Sequence, residues 1–303
     1  MTTAPIQTVF VEANGLRFEV EACGSGDRLA LCLHGFPESS FSWRAQLPSL
    51  AGLGYRAWAP NQRGYGRTTR PPRVADYAAR HLVADVAGLI DASGARAVTL
   101  IGHDWGAAVA WLFASAQVRP LERLIIMNVP HPAIFAQALR RPRQALRSWY
   151  MLFFQLPHVP ERLLSWNRAE LVARAFRAGA ANPDRFPPEV LDVYRRNALE
   201  PGALTAMLNW YRALPRGGEP PTFGPIDVPT LMIWGESDVA LTKETTYGTE
   251  RYVRDLTLRY LPGVSHWVQQ DAPDVVNAML AAFLCGERVP EADEWNRGPT
   301  ASP

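Results

Sequence analysis

Three side chains along this sequence have the chemistry of a covalent hydrolytic site. Asp104 stands in Gly-His-Asp-Trp-Gly, Asp238 ends Trp-Gly-Glu-Ser-Asp, and His266 follows Gly-Val-Ser. A carboxylate attacks a saturated carbon that carries a strained or good leaving group, which leaves an ester on the protein. A histidine then activates the water that cleaves the ester, while a second carboxylate fixes the imidazole tautomer and supports its charge. In chain order the three residues are therefore candidates for nucleophile, acid and base.

Each of these residues also has a plain structural interpretation when it is taken singly. An Asp in Gly-x-Asp-x-Gly can cap the helix after an ordinary turn, Asp238 can be a helix N-cap, and His266 a hydrogen-bonded loop histidine. The stretch around Asp104 favours the chemical interpretation. Val98–Ile101 is an apolar run, and small residues recur at helical spacing after Gly106, which is typical of a strand, a sharp turn and a helix. Such a turn holds its central side chain, usually Ser, clear of the sheet.

The elements that must position these residues alternate between strands and helices. Alternation of this kind builds a mostly parallel sheet with helices on both faces, and ligands bind at the carboxyl ends of its strands. We expect eight strands, with the first two joined at Asn14-Gly15. The predicted strands are Thr8–Val11, Leu16–Val20, Leu29–Leu33, Tyr55–Ala59, Val98–Ile101, Leu124–Met127, Pro229–Trp234 and Leu256–Tyr260, and the predicted helices are Trp43–Leu50, His81–Ser93, Ala107–Gln117, Thr242–Val253 and Asp274–Leu284.

A long block after Pro130 breaks this alternation. It is rich in Arg, Pro and aromatic residues and has helical patterns but no strand pattern. Insertions are tolerated at the carboxyl edge of such a sheet, where they close a pocket against water. We therefore predict a core formed by residues 1–130 and 225–303, a helical cap formed by residues 131–224, and a loose polar tail from about residue 286.

Composition is that of an ordinary globular protein. The 303 residues are 48% hydrophobic and carry a net charge of +2, so we expect neither nucleic acid nor a membrane as a partner. Cys23, Cys32 and Cys285 lack metal-ligand spacing and are expected to be buried, reduced thiols. The arginines of residues 140–147 are interpreted as a solvated face, with a docking patch as the alternative. Without a signal pattern or a bilayer-length apolar run, we predict a cytoplasmic protein.

Six segments in chain order resemble the epoxide hydrolases of the α/β-hydrolase fold. The resemblance covers nearly the whole chain and implies that fold, with an eight-stranded, mostly parallel sheet, an inserted helical cap and no metal or other cofactor. Asn61 departs from the family, in which Asp is common before the R-G-Y-G turn, but it lies outside the catalytic set. The segments are H-G-F-P-E (34–38), G-H-D-W-G (102–106), N-V-P-H-P (128–132), N-W-Y-R (209–212), W-G-E-S-D (234–238) and G-V-S-H-W (263–267).

The resemblance also implies roles around Asp104. The backbone N–H groups of Phe36 and Trp105 are expected to form an oxyanion hole, and Tyr150 and Tyr211 of the cap to protonate the leaving oxygen. Taken alone, each tyrosine can also be an aromatic of the cap core, and this interpretation is favoured for Tyr150, whereas the motif around Tyr211 is the tighter match to the family. Tight turns of this kind sometimes contain a cis peptide bond, here before Pro37. The expected lining of the substrate pocket is His34, Pro37, Trp149 and Phe154.

The leaving group separates the candidate reactions. An opening epoxide develops an alkoxide and needs a proton, which a tyrosine supplies, whereas a halide leaves as a stable anion. Some dehalogenases place Asn or Trp around the halide; position 36 is Phe here, although Trp105 and Trp149 could form a tryptophan pair. Others carry Arg directly after the nucleophile, where this chain has Trp105. We predict that water opens a small apolar epoxide to a vicinal diol. A haloalkane dehalogenase and a non-catalytic ligand receptor remain as alternatives, and a homodimer is one expected assembly.

Overall fold

An eight-stranded sheet forms the centre of the computed structural model, which describes residues 4–216 and 223–296. The strands are Gln7–Ala13 (β1), Leu16–Cys23 (β2), Arg28–Leu33 (β3), Tyr55–Pro60 (β4), Ala97–His103 (β5), Arg123–Met127 (β6), Thr230–Gly235 (β7) and Leu256–Leu261 (β8). Their order in the sheet is β1-β2-β4-β3-β5-β6-β7-β8. The pairs β1/β2 and β2/β4 are antiparallel, and all the others are parallel. This is the mostly parallel sheet that the sequence predicts.

Helices cover both faces of the sheet. Those of the core are Gln46–Gly52 (α1), Ala79–Ser93 (α2), Trp105–Ser115 (α3), Val268–Asp271 (α10), Pro273–Leu284 (α11) and Ala292–Asn296 (α12). Those between β6 and β7 are Pro132–Ala138 (α4), Pro142–Arg147 (α5), Trp149–Phe153 (α6), Val159–Gly179 (α7), Pro188–Leu199 (α8) and Ala203–Ala213 (α9). Helix α7 is bent, because Trp166 to Ala169 leave helical backbone conformation.

The central strands are apolar on both faces. In β3, Leu31 belongs to the same apolar cluster as Trp111 of α3, whereas the next residue, Cys32, belongs to the cluster of Trp43 on the opposite side. Successive side chains of a strand point to opposite faces, so a strand covered on both sides reads as a continuous apolar run. The parallel strands β5, β7 and β8 all end at one edge. The segments that follow them carry the three candidate residues to that edge.

Helices are the main elements in the described part of the block between β6 and β7, which also forms one isolated β-bridge, Ile226 with Val253, and the block packs on the core. The Trp210 indole of α9 donates to the Arg63 carbonyl at 3.0 Å, which ties the block to the loop after β4. An Arg212–Glu161 ion pair at 2.7 Å joins α9 to α7. The helical content agrees with a cap, and its boundaries as a separate unit stay a prediction.

The predicted helix over 242–253 is wrong. The chain forms two short 3-10 turns there, Lys243–Thr246 and Thr249–Arg251, separated by Gly248 at a φ of +91°. The hydroxyls of Thr245, Thr246 and Thr249 each donate to the carbonyl three residues earlier. Threonine side chains that bond the local backbone in this way compete with a regular α-helix.

Three further expectations need adjustment. The predicted helix over 43–50 is a 3-10 turn, Ser40–Trp43, followed by α1. The tail is not loose from residue 286, because Val289 is buried and its carbonyl accepts from Arg259 ahead of α12; residues 297–303 lie outside the described part. Cys23 and Cys32 are buried, but Cys285 is exposed after the end of α11. Among the described helices, none is both long and apolar enough to cross a bilayer.

Candidate active site

Asp104 occupies the turn between β5 and α3 in a backbone conformation that non-glycine residues rarely adopt, with φ +48° and ψ −123°. Close packing holds the turn, since a Cβ added at Gly106 would lie 2.1 Å from the Leu33 carbonyl oxygen. Asp104 stands at the N-cap position of α3 but makes no capping hydrogen bond. Instead its Oδ1 accepts the Phe36 N–H at 2.6 Å. The helix-cap interpretation of Asp104 is therefore wrong, and the sharp strand-to-helix turn is confirmed.

His266 lies between two carboxylates. Its Nδ1 donates to Asp238 Oδ2 at 2.6 Å, and its Nε2 lies 3.7 Å from Asp104 Oδ2. The second distance is too long for a direct hydrogen bond. Both ends of the imidazole are nevertheless directed at carboxylates. The backbone carbonyl of His266 accepts from His103 Nε2 at 2.9 Å, which fixes the loop that carries the ring.

Asp238 bonds both the backbone of its own turn and the His266 ring. Its Oδ1 accepts the backbone N–H groups of Ala240 at 2.7 Å and Leu241 at 2.9 Å, but the next helical turn begins only at Lys243 with Thr242 as its N-cap, so the helix N-cap interpretation is wrong. Its Oδ2 accepts from His266 and, at 2.9 Å, from Asn128 Nδ2. Four donors on one buried carboxylate fix its position and leave its charge to act on the imidazole.

The three groups shift one another's pKa values. Burial lowers the pKa of His266, but the charges of Asp238 and Asp104 raise it more, to well above its ordinary value. Burial likewise raises the pKa of Asp104, but the His266 imidazole and the Phe36 N–H hold it below its ordinary value. Asp238 follows the same pattern, with His266 and Asn128 overcoming burial. The arrangement therefore favours an imidazolium between two carboxylates while Asp104 is free.

The loop after β3 brings a backbone donor to Asp104. A Cβ at Gly35 would lie 2.2 Å from the Asp104 Cβ, so only glycine lets the loop pass this close. The next peptide, Phe36–Pro37, is cis, as expected. Glu38 anchors the loop, because its Oε2 accepts the Gly35 N–H at 2.9 Å. Trp105 is the first residue of α3, and the N–H groups of a first turn have no partner within the helix.

Glu38 is the functional candidate that the sequence analysis missed. Its buried carboxylate also accepts from His103 Nδ1 at 2.7 Å and from the Gln269 and Gln270 amides. It thereby joins the Gly35 turn, the end of β5 and the segment after His266. Its place in H-G-F-P-E was visible in the sequence, but nothing there indicated that the side chain points inward. Asn128 lies in the N-V-P-H-P segment, and the sequence likewise indicates no role for its side chain.

The two cap tyrosines face the loops of the core. The Tyr211 ring lies 5.3 Å from Phe36 and 5.0 Å from Trp105, centroid to centroid, and 6.0 Å from the Tyr150 ring. Burial and the Asp104 charge raise the pKa of both phenols above the ordinary value. Both are therefore neutral, proton-carrying hydroxyl groups at physiological pH. The structure brings this pair to the same region as Asp104.

The expected pocket lining is only partly right. Phe154 is buried and packs edge-on against Phe36, with ring centroids 5.4 Å apart. Pro37 is buried in the turn beside Phe36. His34 is 0% exposed and is held by the Gly35 carbonyl and the Gln62 N–H, so it supports the loop from within. The prediction that Trp149 lines the pocket is wrong, because its side chain lies on the surface of the cap and is 61% exposed.

Comparison with known proteins agrees with this geometry. Residues 31–273 match the family model described as the alpha/beta hydrolase fold. The chain is 38% identical over 283 residues to AB hydrolase superfamily protein YfhM of Bacillus subtilis, covering 92% of this chain and 98% of that protein. It is also 38% identical to human Epoxide hydrolase 4, over 91% of this chain and 78% of that protein. An inhibitor complex of Bacillus megaterium epoxide hydrolase superposes with a TM-score of 0.85 at 28% identity, covering 91% of this chain and 100% of the other.

Proposed function

The chain belongs to the epoxide hydrolases of the α/β-hydrolase fold, and from that premise we propose that it opens a small apolar epoxide to a vicinal diol through an ester on Asp104. One observation carries the proposal. Asp104 Oδ1 rests on the Phe36 N–H while Oδ2 lies 3.7 Å from His266 Nε2. One carboxylate oxygen is thus held by a backbone donor, and the other is on the side of the base.

In the first step Asp104 Oδ2 attacks a ring carbon of the epoxide. A carbon–oxygen bond forms as the strained ring bond breaks, and the electron pair of that bond goes to the ring oxygen. Tyr150 and Tyr211 hydrogen-bond this oxygen, and one of them gives it a proton. The product of the step is a hydroxy ester on Asp104 and a tyrosinate.

Formation of the ester converts His266 into a base. The ester carries no charge, so one of the two carboxylates that raise the His266 pKa is lost. The imidazolium then returns a proton to the tyrosinate through water. This transfer restores the phenol and leaves a neutral imidazole, with its Nδ1–H held by Asp238 at 2.6 Å.

In the second step His266 takes a proton from water as the oxygen adds to the carboxyl carbon of Asp104. The negative charge develops on the oxygen that faces Phe36 N–H and Trp105 N–H, where each donor lowers the barrier by about 3 kcal/mol. Collapse of this intermediate breaks the ester, and the leaving alkoxide takes the proton back from His266. The new carboxyl group then gives its proton to His266, which restores the imidazolium and leaves Asp104 as a carboxylate with one oxygen that came from water.

The test is a single turnover in ¹⁸O-labelled water with enzyme in excess over a styrene oxide-type substrate. We expect an unlabelled first diol and label in the peptide that contains Asp104, measured by mass spectrometry. Asp104→Asn removes the nucleophile, and we expect it to form no diol in this experiment. Asp255→Asn, the same change at an exposed carboxylate, serves as the matched control. Label that arrives directly in the first diol would overturn the covalent route.

The alternatives have less support. A tryptophan pair for a halide would need Trp149 beside Trp105, but the ring contacts of Trp105 are with Trp210 and Tyr211. A ligand receptor has no need of an imidazole held between two carboxylates. A cytoplasmic location, a homodimer and a site without cofactors stay predictions from the sequence.

A further inference from the structure

The cap carries an exposed apolar surface, formed by Leu146, Trp149 and Leu152. Leu146 is 74% exposed and Leu152 is 78% exposed. The three residues are three positions apart, and the hydrogen bond from Ser148 N–H to the Gln144 carbonyl continues the helical turn from α5 to α6, so they share one face. Grouped large apolar side chains on a protein surface mark an interaction site. Further exposed apolar residues follow along the chain at Leu156, Leu163 and Trp166.

A run of ring contacts joins this apolar cap surface to the candidate pocket. The Trp149 ring lies 5.8 Å from Phe153, Phe153 lies 5.9 Å from Phe154, and Phe154 lies 5.0 Å from Tyr211. Phe153 is half-buried and Phe154 is buried. The contacts from the exposed surface to the tyrosine pair are therefore made by aromatic side chains alone.

The same stretch is strongly basic. Residues 139–168 contain six arginines and one acidic residue, Glu161, for a net charge of +5, whereas the whole chain carries +2 and the rest of it therefore −3. Glu161 is engaged by Arg212 at 2.7 Å. The near-neutral total charge hides this local excess, and our expectation of no membrane partner rested on that total. Four exposed arginines of the stretch have no carboxylate partner among residues 4–216 and 223–296: Arg140, Arg141, Arg162 and Arg168.

We propose that the apolar cap surface docks on a bilayer that contains anionic lipid, and that epoxide dissolved in the bilayer enters the pocket from there. Leucine and tryptophan side chains enter the boundary between headgroups and acyl chains, and the arginines pair with lipid phosphates. A second copy of the chain is a poorer occupant, because a two-fold contact at this surface would bring the exposed arginines of two copies, such as Arg140 and Arg141, toward each other. The entry of epoxide rests on the proposed function; the docking does not.

The docking is tested by co-sedimentation with vesicles in the absence of any epoxide. We expect wild type to bind vesicles of phosphatidylcholine and phosphatidylglycerol at low salt. Its partition coefficient for pure phosphatidylcholine should be lower by roughly tenfold or more. Leu146→Ser/Leu152→Ser and, separately, Arg141→Glu should each lower the partition coefficient roughly tenfold or more. The matched controls change an exposed apolar side chain and an exposed arginine of the core: Phe10→Ser on β1 and Arg80→Glu on α2 should bind like wild type.

Hydrolysis of a water-soluble epoxide without vesicles reports on the fold and the site of every variant, and we expect it to be unchanged. The docking proposal fails if wild type stays in solution with both kinds of vesicle, or if the controls lose binding as the test variants do. It also fails if sedimentation velocity reveals a dimer that Leu146→Ser/Leu152→Ser dissociates. Wild type that binds vesicles but hydrolyses no epoxide would contradict the proposed function alone, and the converse would contradict the docking alone.

Discussion

The core loops and the cap helices meet around Asp104 but hold their side chains by different means. On the core side, Asp238 and Glu38 each accept four hydrogen bonds. On the cap side, Phe154, Tyr150 and Tyr211 pack through ring edges, at centroid distances of 5.0 to 6.0 Å. Hydrogen bonds fix a group to within tenths of an ångström, whereas ring packing tolerates small shifts. In the proposed mechanism the covalent steps therefore fall to the more firmly held core side, and the proton for the leaving oxygen comes from the cap side.

The sharpest test of this division is His266→Gln. Without a base the ester cannot be cleaved, but ring opening uses only groups that remain, so we expect the overall turnover rate to fall about 10³- to 10⁴-fold after one equivalent of substrate has reacted. Intact-protein mass spectrometry should find the mass of one substrate added, and peptide mapping should locate it at Asp104. Normal turnover would remove His266 from the site. Lost activity without an adduct would mean that the residue acts before the ester forms.

Asp238→Asn tests whether the hydrogen-bonded core side acts through charge. The amide keeps the size of the side chain but loses the charge that stabilises the imidazolium, so we expect ester cleavage to slow about 10²-fold or more while the ester still forms. Stopped-flow tryptophan fluorescence separates the two steps. The same change at exposed Asp255 is the control and should alter neither. A variant that slows only ring opening would show that Asp238 serves the cap step instead.

On the cap side, Tyr211→Phe should have a smaller effect, and on the other step. We expect ring opening to slow about 10- to 100-fold, because Tyr150 still supplies one hydroxyl, while ester cleavage is unchanged. The control is Tyr65→Phe, which removes a buried hydroxyl that has no hydrogen-bond partner within the described residues. An equal loss in both variants would show that any nearby hydroxyl deletion disturbs the pocket. Slowed ester cleavage in Tyr211→Phe would break the division between core and cap.

The same difference explains which features the sequence predicts. The core residues follow apolar strands in short polar turns, so the mostly parallel sheet and the meeting of Asp104, Asp238 and His266 are predictable from periodicity and chain order. The cap has no such frame, because a helix pattern does not say which face meets the core. Trp149 was accordingly expected in the pocket, but it is 61% exposed. The role of Glu38 was missed for another reason, since three of its four partners, His103, Gln269 and Gln270, come from two distant segments and no local pattern encodes them.

The smallest expected effect concerns the step that links the two sides, the change of His266 from imidazolium to base. Asp104→Asn replaces the carboxylate with a neutral amide, and the ester intermediate is likewise uncharged at this position. The carboxylate favours the imidazolium from 3.7 Å, so its removal should lower the His266 pKa. NMR titration of the histidine side chains measures it, with the His266 signal identified by its absence from His266→Gln. His81, on α2, should titrate identically in both proteins. An unchanged His266 pKa would mean that Asp238 alone sets the protonation state, and that esterification of Asp104 does not produce the base.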